Sequence, residues 1–339
     1  MGCNLKDLAT AEPITLDELQ GQRIGVDAFL VAYQFLTSIR ARGAEGDGAP
    51  LRDESGNVVA HLMGFLDRST SMLQVGIEPI YFFDGRPHQL KQDTIAGRRE
   101  RKDSAKTRWQ AAVQSGDFEL AQRLGAQAVE FRPEMVQDAK RMFDLLGVGW
   151  VDCAMEGEGE AAVHCAAGRI DAVASQDWDV LLYGSPFMIR NLMAAGSRRR
   201  GRLISAERIS LQHLLDKHEL NQEQLVDLGI MIGTDFHPGI RGIGPKTGLK
   251  LIRKHGTMEA VAEIKGFELP EDLDHIRGLF HSHPIAEGGL PTPQPVDEDA
   301  LREFLQGERG FSDQRLKRAL GRIEGRLRPS GQQSLDQWF

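Results

Sequence analysis

Acidic residues follow several short apolar runs of this sequence. Asp27 comes after "RIGV", Asp84 after "IYFF", and Asp177 and Asp179 shortly after "DAVA". Because parallel strands end at one edge of a sheet, acids at strand ends lie close together even when they are far apart in the chain. Each acid alone is most often a cap or a turn residue, but their shared placement favours a cluster. Its further candidate members are Glu156, Glu158 and Asp235.

Two pairs in this set have a single residue between the acids. In an extended segment, residues i and i+2 point to the same side. Asp177 and Asp179 are therefore predicted to face the cluster together while Trp178 points away. The same spacing relates Glu156 to Glu158, so we expect that pair to share a direction too.

So many carboxylates require cations, because two like charges about 4 Å apart repel by roughly 4 kcal/mol at an effective dielectric of about 20. Oxygen ligands suit hard ions such as Mg²⁺ or Mn²⁺. No Cys or His stands among these acids at a spacing typical of zinc sites. Two hard ions can activate a water molecule and stabilise a leaving oxygen at phosphorus. The predicted chemistry is phosphodiester hydrolysis.

Strand-like and helix-like patterns alternate along the chain, as βαβ units do. The predicted fold class is α/β, with a mixed, mainly parallel central sheet flanked by helices. Residues 66–76 and 133–147 have the apolar spacing of amphipathic helices and end in glycine. After residue 203 the chain is predicted to turn helical, beginning with 205–218, and an extended connector at 284–297 is predicted to precede a further helical region at 298–325. The strand-like runs are 23–29, 78–85, 147–153, 171–184 and 187–192.

The net charge of −8 argues at first against a nucleic-acid partner, but the basic residues are unevenly distributed. They concentrate in residues 98–108, 197–202 and 315–328, although any one such run is most often a solvated helix face. The three cysteines are too few for a disulfide framework. Neither a signal-peptide pattern nor a membrane-length apolar run is present, so an intracellular protein is expected.

The glycine-rich stretch "GIRGIGPK" (239–246) follows Asp235 closely. Its glycines would let backbone N–H groups approach a phosphate, and the helix that begins near Lys246 would add its positive dipole end. A tight turn between two helices explains the glycines equally well. The neighbouring "GTDF" favours phosphate binding.

Taken in order, these motifs resemble the structure-specific 5′ nucleases of the XPG type, and most closely the archaeal and eukaryotic flap endonucleases. The resemblance extends over nearly the whole chain. It implies that two divalent ions, Mg²⁺ with Mn²⁺ as a substitute, are held by residues that match the seven acids named above. The matching motifs are "VDAFLVAYQFLTSIR" (26–40), "FFDGRPHQLK" (82–91), "EGEGEAA" (156–162), "ASQDWDVLLYGSP" (174–186), "GTDFHPGIRGIGPKTGLKLI" (233–252) and "QQSLDQWF" (332–339).

The resemblance also implies roles outside the acid cluster. Lys91 and Arg98 match basic residues that stabilise negative charge on the scissile phosphate. Tyr33 matches an aromatic residue on which the terminal base pair stacks, and a core tyrosine is the alternative. Residues 88–130 match the helical arch and cap through which a 5′ single strand threads. The other DNA-binding residues implied are Gly2, Arg101, Lys102, Arg241, Gly242, Gly244 and Lys246, the last four in a hairpin expected to hold a K⁺ ion.

This chain departs from the family at a few positions. Ala154 and Met155 stand where proline and serine are usual, and Trp178 stands where tyrosine or methionine is usual. Neither change removes a ligand. Residues 41–56 form a longer loop than is common. Glu160 stands where the family has no acidic ligand, so it is predicted to lie in the first turn of the next helix, where its charge is worth about 0.3–1 kcal/mol.

The last eight residues have the form Gln-x-x-Leu-x-x-Trp-Phe, which resembles the peptide by which replication proteins dock on the sliding clamp, PCNA. A helical turn would bring the apolar side chains together as anchors. A tail folded back on its own chain is the alternative. The residues concerned are Gln332, Leu335, Trp338 and Phe339.

The resulting prediction is a monomeric, Mg²⁺-dependent 5′ flap endonuclease with 5′ to 3′ exonuclease activity, serving Okazaki fragment maturation, DNA replication and long-patch base excision repair. Alternatives are a relative that prefers bubbles or nicked and gapped ends, and a non-catalytic clamp-bound scaffold, which would have no use for the acid cluster. The predicted regions are an N-terminal nuclease region (1–98), the arch and cap (99–132), an internal nuclease region (133–257) with a helix-two-turn-helix element at about 226–257, a C-terminal helical region (258–328) and the clamp-binding tail (329–339).

Overall fold

The structure is a computed structural model that describes residues 3–40, 48–115, 117–125, 127–199 and 201–327. Gly2, residues 41–47 of the long loop and the whole clamp-like tail lie outside these ranges. The chain forms two compact units. The first draws on Met1–Val31, Ile80–Ser104 and Val151–Leu290, and the second on Ala32–Pro79, Ala105–Trp150 and Pro291–Phe339.

Each strand-like run predicted from the sequence contains a strand, and further short strands join them. Most of these strands are short. Several of them are followed directly or closely by an acid of the predicted cluster. The strands are β1 (Glu12–Ile14), β2 (Arg23–Asp27), β3 (Glu78–Phe83), β4 (Gly149–Asp152), β5 (Ala172–Ala174), β6 (Phe187–Arg190), β7 (Arg198–Arg199), β8 (Arg202–Leu203) and β9 (Ala206–Ser210).

Seven of these strands form one sheet in the order β1-β9-β6-β5-β2-β3-β4, and β7 pairs with β8 separately. β5 is parallel to both β2 and β6, with Val26 opposite Ala174. β9 is antiparallel to β6 and to β1. The mixed, mainly parallel sheet is thus confirmed. Because β3 and β5 lie on opposite sides of β2, the strand order reverses there, and ligand crevices of α/β sheets form at the carboxyl ends of strands at such a point.

Helices make up most of the remaining described chain. A π-helical segment, Glu303–Glu308, follows the thirteenth, and a 3-10 turn, Gln89–Lys91, precedes the third. The helices are α1 (Ala28–Ser38), α2 (Ala60–Gln74), α3 (Gln92–Gln114), α4 (Phe118–Gly125), α5 (Pro133–Leu146), α6 (Gly157–Ala166), α7 (Asp179–Leu182), α8 (Leu211–His218), α9 (Gln222–Ile232), α10 (Pro245–His255), α11 (Met258–Lys265), α12 (Leu273–His281), α13 (Glu298–Arg302) and α14 (Asp313–Leu327).

Two sequence predictions of element type were wrong. Residues 205–218 were predicted as one helix, but they begin as the strand β9, because Ile209 is buried beside its partner Met188 on β6. The run 171–184 was predicted as a strand, but its second half forms the helix α7, whose residues are all buried. The helices predicted at 66–76 and 133–147 are confirmed within α2 and α5.

Each unit has its own core. In the first, Phe82, Val173 and Met188 of the sheet are fully buried, and α6 lies against β2 and β5. In the second, α2 packs against α5 and α14, with the ring of Phe65 edge-on to those of Phe35 and Phe143. No helix among the described residues is long and apolar enough to cross a membrane.

Candidate active site

All the acids predicted to bind metal belong to the first unit. Most stand where a strand of the sheet has just ended or where the next helix begins. Carboxylate oxygens of Glu158, Asp177 and Asp179 lie within 4.8 Å of one another. The positions are Asp27 at the end of β2, Asp84 directly after β3, Glu156 and Glu158 at the start of α6, Asp177 after β5, Asp179 at the start of α7, and Asp235 shortly after α9.

Close backbone packing holds the two segments that carry Asp84 and Glu156. The N–H of Gly157 donates to Asp84 Oδ1 over 2.8 Å, and the N–H of Gly85 donates to the carbonyl of Met155 over 2.6 Å. A Cβ atom on Gly85 would lie 1.9 Å from the carbonyl oxygen of Cys153, so only glycine fits there. These main-chain contacts therefore fix the segment that carries Asp84 to the segment that carries Glu156.

The extended-chain reason given for the two i, i+2 pairs was wrong. Glu156 is the N-cap of α6 and Glu158 lies in its first turn, so their side chains leave a helix start. Asp179 begins α7, and its N–H lies 3.3 Å from Asp177 Oδ1. The negative charges are placed at helix N-termini, where the helix dipole stabilises them. Trp178 is buried, with the guanidinium of Arg190 4.7 Å from its ring centre.

The electrostatics of the cluster fit a hard divalent cation. Partial burial and the nearby charge of Asp84 raise the pKa of Asp27 to about 7. Burial, together with the charge of Asp177, raises the pKa values of Glu158 and Asp179. Within the described residues, the buried Oε2 atom of Glu158 has no hydrogen-bond donor. All the candidate ligands are oxygen atoms, as Mg²⁺ and Mn²⁺ require.

Two basic side chains approach the acids, one from the 3-10 turn Gln89–Lys91 and one from α3. Lys91 Nζ lies 2.6 Å from Glu156 Oε1 and 3.2 Å from Asp235 Oδ2. Arg98 donates to both oxygens of Asp235 over 2.6 and 2.8 Å. Burial alone would raise the pKa of Asp235, but the charges of Lys91 and Arg98 outweigh it and lower that pKa. Burial alone would lower the pKa of Lys91, but the surrounding carboxylates raise it.

The glycine-rich hairpin joins α9 to α10. Its loop is closed by the N–H of Ile240, which donates to the carbonyl of Met231 over 2.8 Å. Arg241 and Lys246 are exposed, and Gly244 is the N-cap of α10. Gly242 has φ +85°, a conformation that favours glycine. On the same helix a basic groove of about 580 Å³ is lined by Glu219, Lys246, Leu249, Lys250, Arg253 and Lys254.

The other predicted DNA-binding residues lie on helices or outside the described chain. Arg101 on α3 is exposed, and its Nε–H donates to the carbonyl of Gly97 over 2.9 Å. Lys102 is partly exposed. Tyr33 on α1 is 37% exposed, so the alternative of a core tyrosine is wrong. Gly2 lies outside the described residues. The roles of these residues stay predictions.

Three residues that the sequence did not assign to the site contact the acids or the segment that leads to them. Tyr183 donates its hydroxyl to Glu156 Oε2 over 2.9 Å, and the N–H of Cys3 donates to Asp179 Oδ1 over 2.6 Å. Glu160 lies in the first turn of α6, as predicted, but it is also fully buried. Its two oxygens accept from the N–H groups of Ala154 and Ala286, each over 2.9 Å. No local sequence pattern indicates the contacts of Cys3 and Glu160. The one signal for Tyr183 is its hydroxyl, a polar group at the end of the apolar run "VLLY".

Replacing Asp27 should remove a pH dependence from the stability of the metal-free protein. A carboxyl whose folded-state pKa is raised stabilises the fold at low pH, and that stabilisation is lost as the pH rises from about 4 through about 7. Between pH 5 and 8, wild type should therefore lose about 1–3 kcal/mol of unfolding free energy relative to Asp27→Asn. Urea denaturation in EDTA measures this difference. Parallel pH profiles of the two proteins would contradict it.

Comparisons with known proteins agree with this geometry. Residues 4–105 match the XPG N-terminal domain and residues 147–235 match the XPG I-region. The chain is 39% identical to the flap endonuclease 1 of Methanosarcina barkeri and 37% identical to that of Staphylothermus marinus, in each case over the whole of both chains. Its fold is similar to the solved flap endonuclease-1 from Methanococcus jannaschii, with a TM-score of 0.74, 30% identity and coverage of 96% of this chain and 99% of that one. The catalytic core of Rad2 in complex with a DNA substrate shares the fold, with a TM-score of 0.72 at 20% identity and coverage of 94% and 99%.

Proposed function

The chain belongs to the flap endonuclease 1 family of XPG-type nucleases, and from this membership we propose that it cleaves the 5′ flap of branched DNA. A 5′ to 3′ exonuclease activity, and service in Okazaki fragment maturation, DNA replication and long-patch base excision repair, are parts of the same proposal. The observation that carries it is the convergence of the acid cluster with Lys91 and Arg98. A non-catalytic scaffold would gain nothing from so many mutually repelling charges.

We propose Mg²⁺ as the metal, two ions per chain, with Mn²⁺ as a substitute. When bound, such ions activate a water molecule and stabilise the leaving oxygen of a phosphodiester. The close grouping of Glu158, Asp177 and Asp179, and the unpartnered oxygen of Glu158, support this proposal. The ligand set is Asp27, Asp84, Glu156, Glu158, Asp177, Asp179 and Asp235.

Lys91 and Arg98 are proposed to stabilise the negative charge that develops on the scissile phosphate. The ammonium group of Lys91 is already held against Glu156 and Asp235, and only 13% of its side chain is exposed. The ammonium therefore lies beside carboxylates that are proposed to hold the metal ions, close to where a phosphate bound to those ions would lie. Arg98 is more exposed and can turn from Asp235 towards a bound phosphate.

DNA contacts are proposed for the hairpin and the arch. The N-terminus of α10 presents backbone N–H groups next to the exposed side chains of Arg241 and Lys246, which suits a phosphate. The exposed ring of Tyr33 can stack on a base pair. The further contacts proposed are Gly2, Arg101, Lys102, Gly242 and Gly244, with a K⁺ ion at the hairpin.

Cleavage mapping tests the proposed function. Labelled double-flap, bubble, nicked and gapped duplexes are incubated with the protein while Mg²⁺ or Mn²⁺ is titrated. We expect incision at the base of the 5′ flap that requires the metal and exceeds incision of the other substrates. A preference for bubbles or gaps would assign the chain to a different specificity within the nucleases. Binding without incision at every metal concentration would support the scaffold alternative.

The tail is proposed to bind the sliding clamp PCNA, and the protein is proposed to act as a monomer with the DNA inside the cell. Changing both Trp338 and Phe339 to Ala should remove stimulation by the clamp, because aromatic anchors supply most of the affinity of such peptides. Cleavage without the clamp should stay unchanged. Flap cleavage with and without added clamp measures both effects. Stimulation that persists in the double variant would show that another element docks.

A further inference from the structure

The carboxylate of Glu156 is held from two sides by different groups. Lys91 Nζ contacts Oε1 over 2.6 Å, and the hydroxyl of Tyr183 lies 2.9 Å from Oε2. Glu156 is only 7% exposed, so these contacts determine the orientation of its carboxylate. The phenol hydroxyl donates this hydrogen bond and the carboxylate oxygen accepts it.

Tyr183 itself is fixed by its surroundings. The residue follows α7 directly, and its N–H donates to the carbonyl of Asp179 over 3.0 Å. Its ring lies 4.9 Å from that of Phe280 and 5.1 Å, edge-on, from that of His283. With 5% of the residue exposed, the ring has little freedom to turn. The hydroxyl is therefore a rigid hydrogen-bond donor and links the helix that starts at Asp179 to Glu156.

We propose that Tyr183 is a positioning residue for the metal site, whose hydroxyl orients Glu156 so that its other oxygen faces the acid cluster. This inference rests on the proposed function, because it treats Glu156 as a metal ligand. Lys91 occupies Oε1 in this structure, and a cation that takes the place of its ammonium would find the carboxylate already aligned. Partners that orient a ligand in this way typically change metal affinity when they are removed.

The variant Tyr183→Phe removes the hydroxyl and keeps the ring. We expect Mn²⁺ binding to the DNA-free protein, measured by isothermal titration calorimetry, to weaken about 10-fold. The metal concentration for half-maximal flap cleavage should rise by a similar factor. At saturating metal, kcat should stay within about 2-fold of wild type, because the hydroxyl does not touch the substrate. A purely structural hydroxyl would lower the melting temperature and leave Mn²⁺ affinity unchanged.

Two controls make the result specific. Tyr81→Phe removes another buried hydroxyl, from β3 of the same unit, and should leave Mn²⁺ affinity unchanged. In a Glu156→Gln background, Tyr183→Phe should have little further effect on Mn²⁺ binding, because both changes act through one carboxylate. Wild-type affinity in Tyr183→Phe, or an equal loss in Tyr81→Phe, would overturn the inference. A wild-type protein that binds Mn²⁺ but cuts no flap would refute the proposed function alone.

Discussion

Asp179→Ala should reduce flap cleavage by at least about 10³-fold while flap-DNA binding stays close to that of wild type. Metal-ion stabilisation of transition-state charge is worth several kcal/mol, and each 1.36 kcal/mol is a factor of ten in rate. Asp179 is 3% exposed and groups with Glu158 and Asp177, so its removal takes one ligand from the group that is proposed to hold the metal. DNA binding persists because removing a negative charge does not weaken attraction to phosphates. Single-turnover cleavage and fluorescence anisotropy in Ca²⁺ measure the two quantities.

A matched pair of variants separates chemistry from folding in this experiment. Asp179→Asn keeps an oxygen that can accept from the N–H of Cys3, so it should fold as wild type does and yet cleave as poorly as the Ala variant. Asp152→Ala removes an exposed acid at the end of β4 and should cleave normally. Turnover near that of wild type in Asp179→Asn would show that Asp179 acts only as a hydrogen-bond acceptor.

The predictable part of this site depends on local pattern combined with a simple rule of sheet geometry. Short apolar runs ending in an acid, as at Asp27 and Asp84, indicate a strand and the place where it stops. Parallel pairing, as between β2 and β5, then brings such ends together. Among the described residues, carboxylate oxygens of Glu158, Asp177 and Asp179 do group within 4.8 Å, and the roles of all seven acids as ligands stay predictions. For the pair Asp177 and Asp179 the expected conformation was wrong and the placement was still sound.

What could not be predicted depends on contacts between segments distant in sequence. The hydroxyl of Tyr183 finds Glu156 only because α7 and α6 pack together, and the N–H of Cys3 reaches a residue 176 positions away. Glu160 was expected to be a helix-start charge worth about 0.3–1 kcal/mol. Its burial against two backbone N–H groups makes it a structural link between the segments at Ala154 and Ala286. Periodicity carries no signal for such pairings.

The strand β9 is a further case in which pairing between distant segments, and not local pattern, decides the structure. The residue types at 205–218 favour a helix, and the second half of this segment does form the helix α8. The first half becomes a strand because the antiparallel edge of β6 satisfies its backbone hydrogen bonds. Tertiary pairing overrides local propensity where a sheet edge is available.

Lys91→Ala should lower kcat for flap cleavage by about 10²–10³-fold, the loss typical when one preorganised charge stabiliser is removed. The same variant should bind Mn²⁺ as tightly as wild type or more tightly. In wild type the ammonium of Lys91 holds Glu156 Oε1 and Asp235 Oδ2, the oxygens that a metal ion also seeks. Removing it leaves the cluster with one more uncompensated negative charge, which attracts a divalent cation. Both oxygens of Asp235 still accept from Nη2 of Arg98.

This opposite movement of turnover and metal affinity distinguishes a residue that acts on the substrate from one that only neutralises the acids. Steady-state cleavage at saturating Mn²⁺ gives the first quantity and calorimetry without DNA gives the second. Lys265→Ala, which removes an exposed charge in the last turn of α11, is the matched control and should change neither. If Lys91→Ala instead weakened Mn²⁺ binding and cleaved normally at saturating metal, Lys91 would serve to assemble the acids and not to stabilise the phosphate.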